Sequence, residues 1–414
     1  MSVGVHAFTS VTSNYIPKAR VLAESVKKLD PSVSFHLLLS DELPPGFDLD
    51  NEPFDNVIFA ESLPVDSFKG WVFSHRLVEL CTAVKGLAVE TLFENYQADK
   101  VFYFDPDIVV FSRLQELIDE LDSCNLLLTP HQSDPETSIK AIMDNEMASL
   151  RHGVFNLGFV GVANKPEGRK FSRWWRDRLI HFCHDDHSRS LFTDQKWVNL
   201  APCMFEGVRI LRSPGFNVAT WNITTRKATG SVESGVEING EPLGFYHFSG
   251  FDSGDQEIQL NEYGHHSPVL FELREWYIDQ CEHHGQSELG VIPAKYNFFD
   301  DGSKIEDRQR LLYREREDLK AAFPDPFVTE NLSKPELAGG YKAWFAVQAE
   351  HMAEDDIIQV KPNTPIREFL KSSAEYLERS ARNSNTLSHL KRLGLRGVIV
   401  VLRLAARLAS RAAA

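Results

Sequence analysis

The stretch Val101-Phe102-Tyr103-Phe104-Asp105-Pro106-Asp107-Ile108-Val109-Val110 constrains this chain more than any other. Apolar and aromatic residues on both sides suit a strand buried within a sheet covered on both faces, and two carboxylates one residue apart interrupt the run. Pro106 has no amide to donate, so the strand is predicted to end at Phe104 or Asp105. That leaves the acids on its carboxyl edge, where open α/β sheets bind ligands. Carboxylate oxygens there can hold a hard divalent cation that neutralises nucleotide phosphates. The competing reading is a turn whose acids cap the next helix.

With 414 residues, 43% of them hydrophobic, the chain can bury a large core, and we expect one large domain with a smaller appendage. Cys81, Cys124, Cys183, Cys203 and Cys281 are widely spaced and form no paired motif, which suits buried thiols in a reducing compartment and a cytoplasmic location. The amino terminus shows no basic segment followed by an apolar core, and no stretch has the length of a clean membrane span, so neither export nor integral insertion is expected. A formal net charge of -15 argues against general nucleic-acid binding. It still permits a pocket for an anionic nucleotide if a bound cation reverses the local field.

In chain order the pattern is α/β. Strands are predicted at 3–8, 33–39 and 57–60, a polar turn at 9–15, and a helix at 16–29. A helix over 71–84 carries Lys85 to its end before Gly86, and a second short helix covers 87–96. A helix at 114–121, a strand at 125–129 and a glycine-broken strand around 154–162 follow. The helix at 166–184 bears an aromatic face of Phe171, Trp174, Trp175 and Phe182, read as core packing. Beyond residue 289 a packing segment leads to a charged helix at 305–321, a proline break, and further helical pieces at 341–351, 362–373 and 374–382.

Several residues admit two readings. Lys85 is a solvated helix cap or a cation for a diphosphate. The hydroxyls of Thr9, Ser10 and Thr12 contact a nucleotide or satisfy local backbone. Asn156, a polar residue inside an apolar strand, is satisfied within the fold or orients a sugar hydroxyl. Asp194 caps a helix or makes a polar contact in a pocket. His247 is a hydrogen-bonded core residue or a ligand for manganese or a related cation, with Asp105 and Asp107 supplying oxygens.

The order Phe8-Thr9-Ser10, Asp105-Pro106-Asp107, Phe155-Asn156-Leu157-Gly158, Asp194-Gln195 and His247-Phe248-Ser249-Gly250 resembles the family-8 glycosyltransferases and their bacterial relatives, over about residues 1–280. The resemblance implies a Rossmann-like GT-A fold, a mixed and mostly parallel sheet flanked by helices, here with a helical carboxyl-terminal extension. It implies a nucleotide-diphosphate sugar donor, with a UDP-sugar favoured, and Mn2+ (Mg2+ as the alternative) on Asp105, Asp107 and His247. Thr9, Ser10 and Lys85 would join those three around the donor, and Asn156, Asp194 and Gln195 would occupy the sugar and acceptor pocket. Where family members often continue into a lysine-proline-tryptophan sequence, this chain reads Gly250-Phe251-Asp252-Ser253-Gly254-Asp255, which leaves the phosphate cation to another segment such as Lys85. Retention of configuration follows from the resemblance; an inverting course would need Asp194 or Asp252 as base.

The carboxyl terminus differs from the acidic body. Arg392, Arg396, Arg403, Arg407 and Arg411 share one helical face opposite Leu393, Val400, Val401, Leu404 and Leu408, and no acid follows Glu378. This pattern predicts a helix lying on an anionic membrane surface, the alternative being a helix packed on another subunit or protein. The expected organisation is a catalytic domain at 1–285, an auxiliary mainly helical region at 286–382 and a basic amphipathic helix at 383–414. The expected activity is sugar transfer, at the inner face of the cell membrane, to a cell-surface glycan or lipid-linked acceptor. The alternatives are a protein acceptor, or a nucleotide-sugar binding module without catalysis.

Overall fold

The computed structural model describes residues 4–330 and 340–351. The predicted basic helix at 383–414 and the pieces at 362–373 and 374–382 lie outside the described residues. The chain divides into two compact units. Among the described residues, one takes in those up to Asp185 with Leu191–Ile305, the other Asp186–Ser190 with those from Glu306.

The first unit is built on a seven-stranded sheet. Its strands are β1 (Val5–Val11), β2 (Ser34–Leu39), β3 (Asn56–Phe59), β4 (Lys100–Phe104), β6 (Leu126–Pro130), β7 (Phe155–Ala163) and β8 (Val208–Ile210), in the order β8-β6-β7-β4-β1-β2-β3. β5 (Ile108–Val110) leaves this sheet to pair elsewhere. β1 runs parallel to β2 and β4, β2 to β3, and β8 to β6, whereas β7 is antiparallel to both its neighbours. The result is the mixed, mostly parallel, helix-flanked sheet of a Rossmann-like GT-A architecture. All seven residues of β1 and all five of β4 are buried, as strands covered on both faces require. Helix α1 (Ile16–Leu29) covers one face through Ala19, Leu22, Ala23 and Val26, which join Phe35, Phe102 and Phe104 in the core.

Two expectations are corrected here. Thr9 and Ser10 are not in a polar turn: they are the two residues before the last of β1, which runs on to Val11 because Thr9, Ser10 and Val11 pair with Leu37, Leu38 and Leu39. The predicted helix over 71–84 is broken into α2 (Phe68–Phe73) and α3 (Leu77–Ala83), and Lys85 opens α4 (Lys85–Asn95) instead of closing a helix. The break is stabilised where the Arg76 backbone N–H donates to the Glu79 carboxylate at 2.8 Å. Gly86 is therefore no cap. It lies where α4 crosses the helix Pro166–Phe182, and a Cβ there would sit 2.6 Å from the Arg176 Cα.

The second unit contains helices at Asp307–Glu315, Glu317–Ala322 and Gly340–His351, so the single charged helix expected at 305–321 is two, divided at Arg316. Within it Arg189 forms a two-bond fork with Glu315 at 2.9 and 3.0 Å, and the Tyr341 hydroxyl donates to the Gln309 carbonyl at 2.7 Å. No helix among the described residues is long and apolar enough to cross a membrane.

Gly86→Ala separates the packing role from the capping one. Overpacking against backbone is expected to cost about 1–3 kcal/mol, read as a lower midpoint of urea unfolding. At an exposed helical position the same change would stabilise by up to about 1 kcal/mol.

Candidate functional site

β4 ends at Phe104, and the chain turns through Asp105-Pro106-Asp107 into β5. The turn closes with the Ile108 N–H on the Asp105 carbonyl at 3.0 Å, and Pro106 takes the second turn position, where its fixed φ fits and no amide is needed. The Asp105 N–H is spent on the Gly158 carbonyl of β7 at 2.7 Å, which ties the turn to the sheet. β5 then pairs antiparallel with β12 (Phe245–His247), numbered after a small three-stranded sheet of β9 (Ala228–Ser231), β10 (Gly235–Ile238) and β11 (Glu241–Pro242). The register sets His247 opposite Ile108, next to the second acid. The Phe248 N–H on the Asp107 carbonyl, at 2.8 Å, fastens the junction.

Residues 140 apart in sequence thus meet. His247 Nε2 lies 3.0 Å from Asp107 Oδ1 and 3.8 Å from Asp105 Oδ2, and the ligand atoms of the three side chains all fall within 4.8 Å of one another. The imidazole is buried, while both carboxylates retain partial access to solvent. Its other nitrogen is held by Asn156: Nδ1 is 3.2 Å from Oδ1, an oxygen that also accepts from the Gly158 N–H at 3.2 Å. That bond has Nδ1 donating and directs Nε2 at the acids. Gly158 has to be glycine, since a Cβ would sit 2.5 Å from the imidazole Cε1. The Asn156 amide nitrogen lies 3.3 Å from Nε2 of His131, whose imidazole burial lowers to about 4, so it stays neutral and accepts. Asn156 is thus satisfied within the fold, and in being so it sets the ring of His247.

Lys85 is buried, which rules out the solvated cap. Its ammonium lies 3.0 Å from Asp194, 3.4 Å from Asp105 and 3.2 Å from the Leu157 carbonyl, over the Tyr103 ring at 4.0 Å. Burial opposes its charge, and the two carboxylates more than restore it, raising its pKa above the usual lysine value. The Tyr103 hydroxyl adds a short bond to Asp105. Lys85 therefore joins the acid turn to the Asp194-Gln195 segment. Gln195 spends one bond from each end of its amide on backbone, accepting from the Leu157 N–H and donating to the His152 carbonyl, both at 3.1 Å. One amide hydrogen and one lone pair remain.

The Thr9 and Ser10 hydroxyls are buried without a hydrogen-bond partner among the described residues. Successive strand residues point to opposite faces, so the two hydroxyls lie on opposite faces of the sheet. The motifs did not point to His131 or to Lys18. Lys18 was legible in principle: it stands one turn before Leu22 and two before Val26, on the apolar stripe of α1.

The donor set fits a divalent cation. A carboxylate oxygen and an imidazole lone pair 3.0 Å apart repel unless a positive charge lies between them, and two hard oxygens with one nitrogen suit manganese-type ions. Without metal that charge is a proton. Burial would lower the His247 pKa, but the charge and hydrogen bond of Asp107, with Asp105 behind it, raise it above the ordinary value. A cation must displace this proton, so its affinity falls as pH drops through that raised value. Titration of Mn2+ near neutral pH, in buffers of different ionisation enthalpy, is expected to show up to about one proton released per ion. A proton release that does not grow as the pH of the titration is lowered would remove His247 from the ligand set. Asn156→Ala, which frees the imidazole, is expected to weaken Mn2+ binding by about 10-fold or more.

No protein-family model matches the chain. Two curated relatives from Bacillus subtilis (strain 168), both described as uncharacterized proteins, match parts of it. YfnD is 34% identical over 176 residues, covering 42% of this chain and 54% of YfnD. YfnF is 24% identical over 187 residues, covering 44% of this chain and 59% of YfnF. The chain thus spans little more than half the length of the curated relatives it matches. Among solved structures, the galactosyltransferase LgtC in complex with donor and acceptor sugar analogs aligns at 17% identity over 70% of this chain and 98% of LgtC, with a TM-score of 0.40. The glycosyltransferase GlyE of Streptococcus pneumoniae TIGR4 aligns at 16% over 72% of this chain and 67% of GlyE, with a TM-score of 0.36. Similarity at this level transfers neither a substrate nor a residue role to this chain.

Proposed function

We propose that the protein is a glycosyltransferase that moves a sugar from a nucleotide-diphosphate donor, a UDP-sugar favoured, to a saccharide or lipid-linked acceptor with the help of Mn2+ or, alternatively, Mg2+. The observation that carries this reading is the convergence of Asp105, Asp107 and His247 at the carboxyl edge of β4, with the Lys85–Asp194 pair adjoining it. When bound, the cation supplies charge neutralisation to the diphosphate as the nucleotide leaves.

The chain's own residues provide the rest. Asp105 and Asp107 present oxygens, His247 presents Nε2, and Asn156 holds the imidazole in the ligating tautomer. Lys85 fixes Asp105 relative to Asp194, so the metal edge and the sugar side of the pocket keep one spacing. Gln195, braced by two backbone bonds, has an amide hydrogen to offer a sugar oxygen. A retaining course is supported by the state of Asp194, one of the two carboxylates that an inverting course could use: its side chain is 3% exposed and lies 3.0 Å from the Lys85 ammonium. In this reading residues 1–285 carry catalysis, 286–382 assist, and 383–414 bring the enzyme to an anionic membrane surface.

The test is cation-dependent turnover of UDP-sugars with chemically varied saccharide, lipid-linked and peptide acceptors. Asp107→Asn is expected to reduce transfer at least about 100-fold, since loss of outer-shell partners alone costs about 10–100-fold at metal sites. Binding of donor and Mn2+ without transfer to any acceptor would favour the non-catalytic binding module.

A further inference from the structure

Lys18 is a buried charge that the proposed chemistry leaves unused. It stands in the first turn of α1, and its side chain is 2% exposed. Taking an ammonium out of water is costly unless it is paired. Its partners are the Asp252 carboxylate at 2.7 Å and the rings of Tyr15 and Phe251, whose centroids lie 3.5 and 4.9 Å from Nζ.

The two halves of this ion pair are built differently. The ammonium is walled in by aromatic faces on a core helix. Asp252 is 46% exposed, on a turn between Gly250 and Gly254, both at positive φ (73° and 87°). It follows His247 by five residues, so the same segment that delivers the candidate metal ligand delivers the counter-ion. The segment that encloses Lys18 is tied to the acid turn: the Phe251 N–H donates to the Phe248 carbonyl at 3.2 Å, and the Phe248 N–H donates to the Asp107 carbonyl at 2.8 Å. A fixed cation therefore adjoins a metal site, neutralised by a carboxylate that can withdraw into water.

We infer that Lys18 is an anion-binding residue of this site, and that Asp252 holds, in the ligand-free protein, the place taken by a phosphate oxygen when a nucleoside diphosphate binds. The exchange is non-covalent: one oxyanion leaves the ammonium and another replaces it. The inference rests on the nucleotide-diphosphate reading above, and it makes Asp252 an internal competitor of the donor, distinct from the base considered for an inverting reaction.

The test is the affinity of UDP, GDP, CDP and ADP in the presence of Mn2+, by calorimetry and thermal shift, continued with the tightest of the four and its monophosphate. Asp252→Asn removes the competitor and leaves the Lys18 ammonium buried without its counter-charge. It is expected to lower the melting temperature of the free protein, to tighten diphosphate binding several-fold and to enlarge the thermal shift that the diphosphate produces. Lys18→Met is expected to weaken diphosphate binding about 10-fold or more, the size of a lost charged hydrogen bond, with a smaller effect on the monophosphate, and Lys18→Arg to retain binding. In the Lys18→Met background Asp252→Asn should no longer tighten binding, because competitor and diphosphate act through the same ammonium. If Lys18→Met does not fold, the Asp252→Asn comparison decides alone. A wild-type protein that binds a diphosphate while Asp252→Asn binds it no tighter overturns this inference and leaves the function standing. A wild-type protein that binds none of the four with Mn2+ overturns both.

Discussion

An imidazole nitrogen and a carboxylate oxygen 3.0 Å apart, His247 against Asp107, are the contact on which the rest of this site depends. They tolerate that distance only with positive charge between them. The fold is arranged to enforce it. β5 leaves the main sheet straight after the acid turn to pair with β12, β7 contributes Asn156 to hold the far side of the ring, and Gly158 has no side chain where the ring must pass. Removal of the proton from Nε2 leaves a gap that a divalent cation can fill with ligands already oriented.

Around this contact an acidic chain places two buried lysines, and each has a distinct structural position. Lys85 links Asp105 to Asp194, between the metal edge and the Asp194-Gln195 segment, and is enclosed by carboxylates and the Tyr103 ring. Lys18 is enclosed by Tyr15 and Phe251 and held by a carboxylate open to solvent. Burying an ammonium against fixed acids favours rigidity; burying one against an exposed acid leaves an exchangeable partner. The first suits spacing, the second suits an arriving anion.

Much of the fold was legible because its signals are local. Helix Ile16–Leu29 was predicted to its ends, and strands at Ser34–Leu39 and Asn56–Phe59 to within a residue, since proline at the second helical position and short β-rich runs between breakers are read from neighbours alone. The carboxyl end of β4 was legible for the same reason, through Pro106. The errors came where a distant partner overrode local preference. Thr9 and Ser10 look like turn residues and are strand because β2 supplies their ladder. Lys85-Gly86 looks like a helix end and is a helix start, because Gly86 is needed where the helix Pro166–Phe182 passes.

By itself the sequence determined the α/β class, the acid turn and the residue types from which a metal site can be made, because strand periodicity, proline stereochemistry and ligand chemistry are properties of short segments. Only the tertiary structure decided that His247 lies against Asp107, that Asn156 orients it, that Lys85 is buried between two acids and that Lys18 pairs with Asp252. Those pairings join segments from 20 to 234 residues apart, and strand register with helix packing sets them.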